Sequence, residues 1–158
     1  MGGKFLIFEV NIILKTSTME KRIYNGKERP QFTPDNITHV EEDEIFVFGS
    51  NLGGKHGGGA ARTAVRLFGA VKGQGVGLQG NSYAIPTMQG GVETIRPYVE
   101  EFIAFATERK DLFFYVTKIG CGIAGFDASE IAVLFADAQG VANICLPESF
   151  VNVLNTNK

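Results

Sequence analysis

The stretch FGSNLGGKHGGGAA, residues 48–61, carries six glycines between an apolar run and a helical pattern. Glycine permits positive φ and close backbone approach, so successive N–H groups can be aimed at one anion, and a helix N-terminus adds partial positive charge. The chemistry implied is phosphate cradling. Gly49, Gly54 and Lys55 fit a Walker A loop, but His56 stands where a Ser or Thr hydroxyl would meet Mg²⁺. No apolar strand ends in an Asp that would complete the metal site, so no metal is expected.

A second candidate cradle is GCGIAG, residues 120–125, which satisfies GxGxxG after the apolar run LFFYVT. Glu148 lies beyond the next predicted strand, where a ribose-binding acid would sit, so a Rossmann-type dinucleotide-binding module is an alternative reading. The same spacing recurs as GVGLQG at 75–80 with no strand before it, so the motif discriminates poorly.

Positioning these loops requires strands that end at them. EIFVFGS (44–50), SYAIPT (82–87), LFFYVT (112–117) and NICLP (143–147) are short apolar runs of the kind found in strands covered on both faces. Helical periodicity appears at 60–68, at 94–108 with Ile95, Val99, Phe102, Ile103 and Ala106 on one stripe, and at 129–138 with Ile131, Leu134 and Phe135. Asp127 or Ser129 suits the cap of the last. Strands alternating with helices predict a three-layer α/β/α sandwich around a central mixed, largely parallel sheet, with ligands at the strand-to-helix rim.

The 158 residues suffice for one globular domain, with 44% hydrophobic and 20% charged residues. The formal charge is −2, with six basic and three acidic groups in residues 1–30, so no concentrated basic face points to nucleic acid as the primary partner. Cys121 and Cys145 lie 24 residues apart and the chain has two histidines, too few for a zinc set or a CxxC pair, which makes a reduced cytoplasmic protein the default. Residues 1–30 read as an N-terminal extension, an added edge strand or a leader, with Met19 as a second candidate start; 31–158 read as the nucleotide-binding domain. Glu9 and Asn11 interrupt the apolar stretch near the start, which argues against a signal peptide, and the composition against a membrane protein.

Taken in order, DNIT (35–38), FGSN (48–51), GGG (57–59) and GCGIAGF (120–126) resemble the macro domains, which bind ADP-ribose and in some members remove it from proteins or nucleic acids. The spelling IGCG is similar to the branch that hydrolyses glutamyl or nucleic-acid linkages, and to macro-like proteins of bacteria and phages without assigned activity. The resemblance implies that Asn36 and Ile37 hold the adenine and that Asn51 faces the distal ribose. It further implies that Gly57, Gly58 and Gly59, with Gly120, Cys121, Gly122, Ile123, Ala124 and Gly125, present amides to two phosphates, and that Phe126 covers the distal sugar. The partner implied is ADP-ribose or a similar nucleotide, free or attached to protein or nucleic acid, with no further cofactor.

Catalysis is left open by the same resemblance. Ala61 and Ala124 stand at two positions where branches of the family carry an Asp, Thr87 or Met88 where one carries a nucleophilic Lys, and Asn36 replaces the usual adenine-binding Asp. Asn51, His56 and Asp127 are the candidate catalytic groups, with Lys118 nearby. His56 is expected to be a solvated loop residue and Asp127 a helix cap. Three classes follow: a reader that binds ADP-ribose, an eraser that hydrolyses it, and a structural or phage-associated module without nucleotide activity.

Overall fold

The computed structural model describes residues 22–157, and the expectations for the leader and for Met19 lie outside them. The chain divides into two compact units, 1–31 and 32–158. Within the first, β1 (Arg22–Tyr24) and β2 (Lys27–Arg29) form an antiparallel hairpin. Its turn, Asn25 and Gly26, has φ of 49° and 76°, the left-handed pair that a two-residue hairpin loop demands. Arg29 donates from Nε and Nη2 to the Tyr24 carbonyl at 3.3 and 3.1 Å.

The second unit is a mixed α/β domain. In chain order it contains β3 (Glu44–Ser50), α1 (Gly59–Leu67), β4 (Gly77–Gln79), β5 (Ser82–Pro86), α2 (Arg96–Glu108), β6 (Phe113–Val116), α3 (Ala128–Ala132), β7 (Ile144–Cys145) and α4 (Glu148–Thr156). The sheet order is β4-β5-β3-β6-β7, parallel throughout except for β4, which runs antiparallel to β5 at one edge. Strand alternation sends side chains to two helical layers. Phe46, Phe48 and Ala84 meet Ala61, Ala64 and Phe68 of α1 and its C-terminal end. Ile45, Val47, Tyr83, Ile85, Phe114 and Val116 meet Ile95, Val99, Phe102 and Ala106 of the α2 region, with Ile131, Phe135 and Phe150 beside them. The predicted three-layer arrangement is therefore present. Small residues on α1 let it lie close to β3, which is why a nine-residue helix suffices on that face.

The differences from the predicted elements have local causes. Pro97, lacking an N–H, sits in the first turn of α2, so the helix begins at Arg96 and residues 92–94 form a separate 3₁₀ turn. The helix predicted over 129–138 changes to 3₁₀ at Val133, whose three-residue turn stacks Phe135 and Ala138 on the core together with Leu134. β7 is shorter than NICLP: buried Asn143 turns its Nδ2 to the carbonyls of Ala106, Arg109 and Leu112 (2.8, 3.1 and 3.0 Å), closing the end of α2, while Pro147 opens α4. Glu44, which closes the acidic run 41–44, is buried and accepts from Tyr115 Oη (2.7 Å) and the Glu41 amide (2.8 Å).

Tyr83 supplies a test of this core. Burial, and secondarily the negative charge of Glu101, push its phenol up to about 12. The folded protein therefore keeps its proton where the unfolded chain, titrating near 10, has lost it. The contribution is fully present below pH 10 and is lost as pH rises toward 12, by roughly 2–3 kcal/mol. Urea unfolding across this range should show that decline, and Tyr83→Phe should remove it; an unchanged slope in the variant refutes the assignment.

Candidate functional site

At the carboxyl ends of β3, β5 and β6 lies a cavity of about 250 Å³. Gly49 and Ser50 end β3, Thr87 and Met88 follow β5, and Thr117, Lys118, Ile119 and Gly120 follow β6; all line it. The two glycine segments meet here because their strands are hydrogen-bonded neighbours. A Cβ built on Gly49 would stand 3.5 Å from the Gly120 amide nitrogen, and one on Gly58 would stand 3.4 Å from Ile123 Cδ1. Ile123 is 76% exposed, so its side chain reaches from one rim to the other while remaining in solvent.

Of the predicted residues, Asn51, His56, Gly57, Gly58, Gly59, Gly120, Gly122, Ile123 and Ala124 line this cavity. The first-turn amides of α1 have no intrahelical acceptor, and among the described residues the amides of Gly57, Gly58, Gly122, Ile123 and Ala124 make no hydrogen bond. Both rims thus hold donors available to an anion. Cys121, Gly125, Phe126 and Asp127 do not line it. The Cys121 and Gly125 amides are used within the second loop, donating to Lys118 O (3.2 Å) and Gly122 O (3.0 Å). Phe126 packs against the main core instead, with its amide on Gly120 O at 2.8 Å. Gly120 has φ of 74°, and a Cβ there would press on Ile131 Cδ1 at 2.7 Å, so this turn strongly favours glycine.

The candidate catalytic groups separate. Asp127 forms a capping box with Glu130 at the start of α3, and the Glu130 carboxylate accepts the Asp127 amide at 3.1 Å. Asn51 Oδ1 accepts the Lys55 amide at 3.0 Å, which secures the loop. His56 is not solvated: it is 3% exposed, with Nε2 2.9 Å from Gln74 O and 3.3 Å from Gln79 Oε1. Burial raises the Cys121 thiol, the nearby Asp127 adds to this, and Lys118 opposes it, so no activated thiolate stands beside the cavity. His56 and Lys118 are the ionisable residues of the lining, which includes no carboxylate.

A second cavity, of about 510 Å³, shares Ala60, Thr117 and Lys118 with the first and holds Asn36 and Ile37 in its wall with Thr33, Phe46 and Leu67. Lys118 Nζ lies 3.3 Å from Asp35 Oδ1 there. The two cavities form neighbouring parts of one groove passing the start of α1.

The third glycine cluster plays another part. GVGLQG contains the edge strand β4, and buried Gln79 donates to Gln74 O (3.1 Å) and Gly77 O (3.2 Å) while accepting from the Val71 amide (2.8 Å). Ser50 Oγ donates to Gly75 O, so this loop buttresses the first. Thr87 and Met88, at the position matched to a nucleophilic Lys, do line the cavity, and Ser50 and Thr117 join them without a motif of their own; the carboxyl ends of parallel strands are the signal that marks them.

Among the described residues no helix is long and apolar enough to cross a membrane, and no group of three or more His, Cys, Asp and Glu side chains could hold a metal ion. The chain matches no known protein family, no curated protein and no solved structure.

Proposed function

We propose that the groove binds ADP-ribose or a related ADP-containing nucleotide in the manner of a macro domain, with the diphosphate between the two glycine rims. The observation that carries this reading is that residues 57–59 and 122–124 line one cavity while the amides of Gly57, Gly58, Gly122, Ile123 and Ala124 make no hydrogen bond among the described residues. Oriented amides at a helix N-terminus hold a diphosphate without a metal. Lys118, set between the two cavities, would exchange its exposed Asp35 partner for a phosphate oxygen, an exchange that loses little because a solvated ion pair is weak. The base would occupy the second cavity beside Asn36 and Ile37, whose apolar wall of Phe46 and Leu67 suits a planar ring.

The Rossmann alternative is less well supported, since the α3 N-terminus behind GCGIAG is already capped by Asp127 and Glu130. A binder is favoured over a hydrolase because Ala61 and Ala124 stand where branches of the family carry an Asp and Thr87 or Met88 where one carries a nucleophilic Lys, which leaves His56 and Lys118 as the groups of the lining able to manage a proton. Calorimetry with ADP-ribose, and with AMP and NAD as controls, should give saturable heat strongest for ADP-ribose. Absence of heat at about 1 mM ligand removes the reading. Release of ADP-ribose from modified protein or DNA would overturn the preference for a binder.

A further inference from the structure

Residues 45–92 hold Lys55, Arg62, Arg66 and Lys72 but no Asp or Glu, a charge of +4 in a chain of formal charge −2, so the rest of the chain carries −6. All four cations are exposed, and among the described residues none makes an ion pair or a side-chain hydrogen bond, whereas Arg96, Arg109 and Lys118 each pair with a carboxylate. Leu52 and Val71 stand near them in sequence, 53% and 51% exposed. Two tight turns bring part of this set together. In one the Gly54 amide donates to Asn51 O (3.0 Å), in the other the Gln74 amide donates to Val71 O (3.1 Å), and the Gly73 amide donates to Gly54 O (2.8 Å), tying the turns side by side. Leu52 and Lys72 follow the first residue of their turns, where side chains project outward. A Cβ on Gly54 would fall 2.5 Å from Gln74 N, so the turns are locked at close approach and the tip is fixed before a partner arrives.

We propose that this tip docks the protein on an anionic lipid surface, with Leu52 and Val71 entering the interface and Lys55 and Lys72 meeting the headgroups. A peptide partner would need a concave seat around the apolar side chains, yet these four residues line neither the groove nor the cavities beside Phe32 and Thr38. A nucleic-acid strand would reward aromatic rings on which bases stack, and residues 51–55 and 71–75 include none. A lipid interface needs neither, because aliphatic side chains enter it while lysine stems lie alongside and their charges stay at the headgroups. Arg62 and Arg66, exposed one helical turn apart on α1, add to the long-range attraction. Glu41 and Glu42 share a small cavity with Leu67 and Phe68 at the C-terminal end of α1, which limits the basic surface there. Asn51, the first residue of its turn, lines the groove, so docking sets the mouth of the groove beside the membrane. The contact is peripheral, requires no spanning helix and does not depend on the nucleotide reading.

The test is sedimentation of the full chain with vesicles of phosphatidylcholine containing about 30% phosphatidylserine, which should bind it about tenfold or more tightly than pure phosphatidylcholine. Raising NaCl from about 0.1 to about 0.5 M should release it. Lys55→Gln together with Lys72→Gln should weaken binding by about thirtyfold, at about fivefold per cation. Leu52→Ser together with Val71→Ser should weaken it by about tenfold. All four positions are exposed, so thermal melting of both variants should match wild type. If either misfolds, ¹⁵N NMR of the wild-type chain with anionic nanodiscs decides, with the amides of residues 52–55 and 71–73 broadened first. Equal binding to the two vesicle types, wild-type binding by both variants, or broadening confined to other residues overturns the inference. Binding to a single-stranded oligonucleotide with none to vesicles overturns it in favour of nucleic acid. Absence of heat with ADP-ribose alongside normal vesicle binding rejects the nucleotide reading and leaves this inference standing.

Discussion

Gly58→Glu is expected to weaken ADP-ribose binding by about 100-fold or more, since juxtaposed like charges cost several kcal/mol. The fold should survive, because Gly58 has φ of −153° and ψ of 170°, an extended conformation open to any residue. A Cβ there would meet only Ile123 Cδ1, at an ordinary 3.4 Å. The new carboxylate would lie at the N-terminus of α1 and take the place proposed for the phosphate, so thermal stability should be unchanged or slightly raised by its favourable position on the helix dipole. Gly58→Gln separates charge from bulk: a neutral side chain of the same length should lose clearly less affinity than Glu. Calorimetry and thermal melting read both effects. Wild-type affinity in the Glu variant would show that the diphosphate is not held at this rim.

Gly75→Ala should lower stability by roughly 3 kcal/mol, at the upper end of what an overpacked site usually costs. Its added methyl would fall inside contact distance of the carbonyl oxygens of Asn51 and Leu52, which are backbone atoms and cannot turn aside. Gly75 O also accepts from Ser50 Oγ, so moving this loop disturbs the end of β3 and the first glycine rim with it. Urea unfolding should show a lowered midpoint with unchanged slope, and any remaining ADP-ribose affinity should fall in parallel. Gly57→Ala is the matched control: its Cβ would meet nothing within 4 Å and its φ is not positive, so stability should stay within about 0.5 kcal/mol. A Gly75→Ala protein as stable as wild type would contradict the close packing of the two loops.

That contrast between Gly57 and Gly75 also marks the limit of what local sequence can say. Apolar runs such as EIFVFGS and the stripe from Ile95 to Ala106 follow the periods of strand and helix, so the elements and the parallel α/β class were legible from residue order alone. The placement of glycine clusters after two of those runs was legible in the same way. Whether a glycine faces a cavity, fills the gap under a carbonyl, or turns an edge strand depends on atoms 20 or more residues away, and GVGLQG, a motif by spacing, is a buttress by position. Two assignments turned on the same long-range packing, whereas the Asp127 cap of α3, made with Glu130 three residues on, was legible locally. Phe126 joins the main core, and His56 is carried beneath the loop against Phe48 by oxygens of Gln74 and Gln79, 18 and 23 residues ahead of it. Periodicity reports the face a side chain takes within its own element; only the pairing of β3 with β5 and β6 determines which loops share a rim.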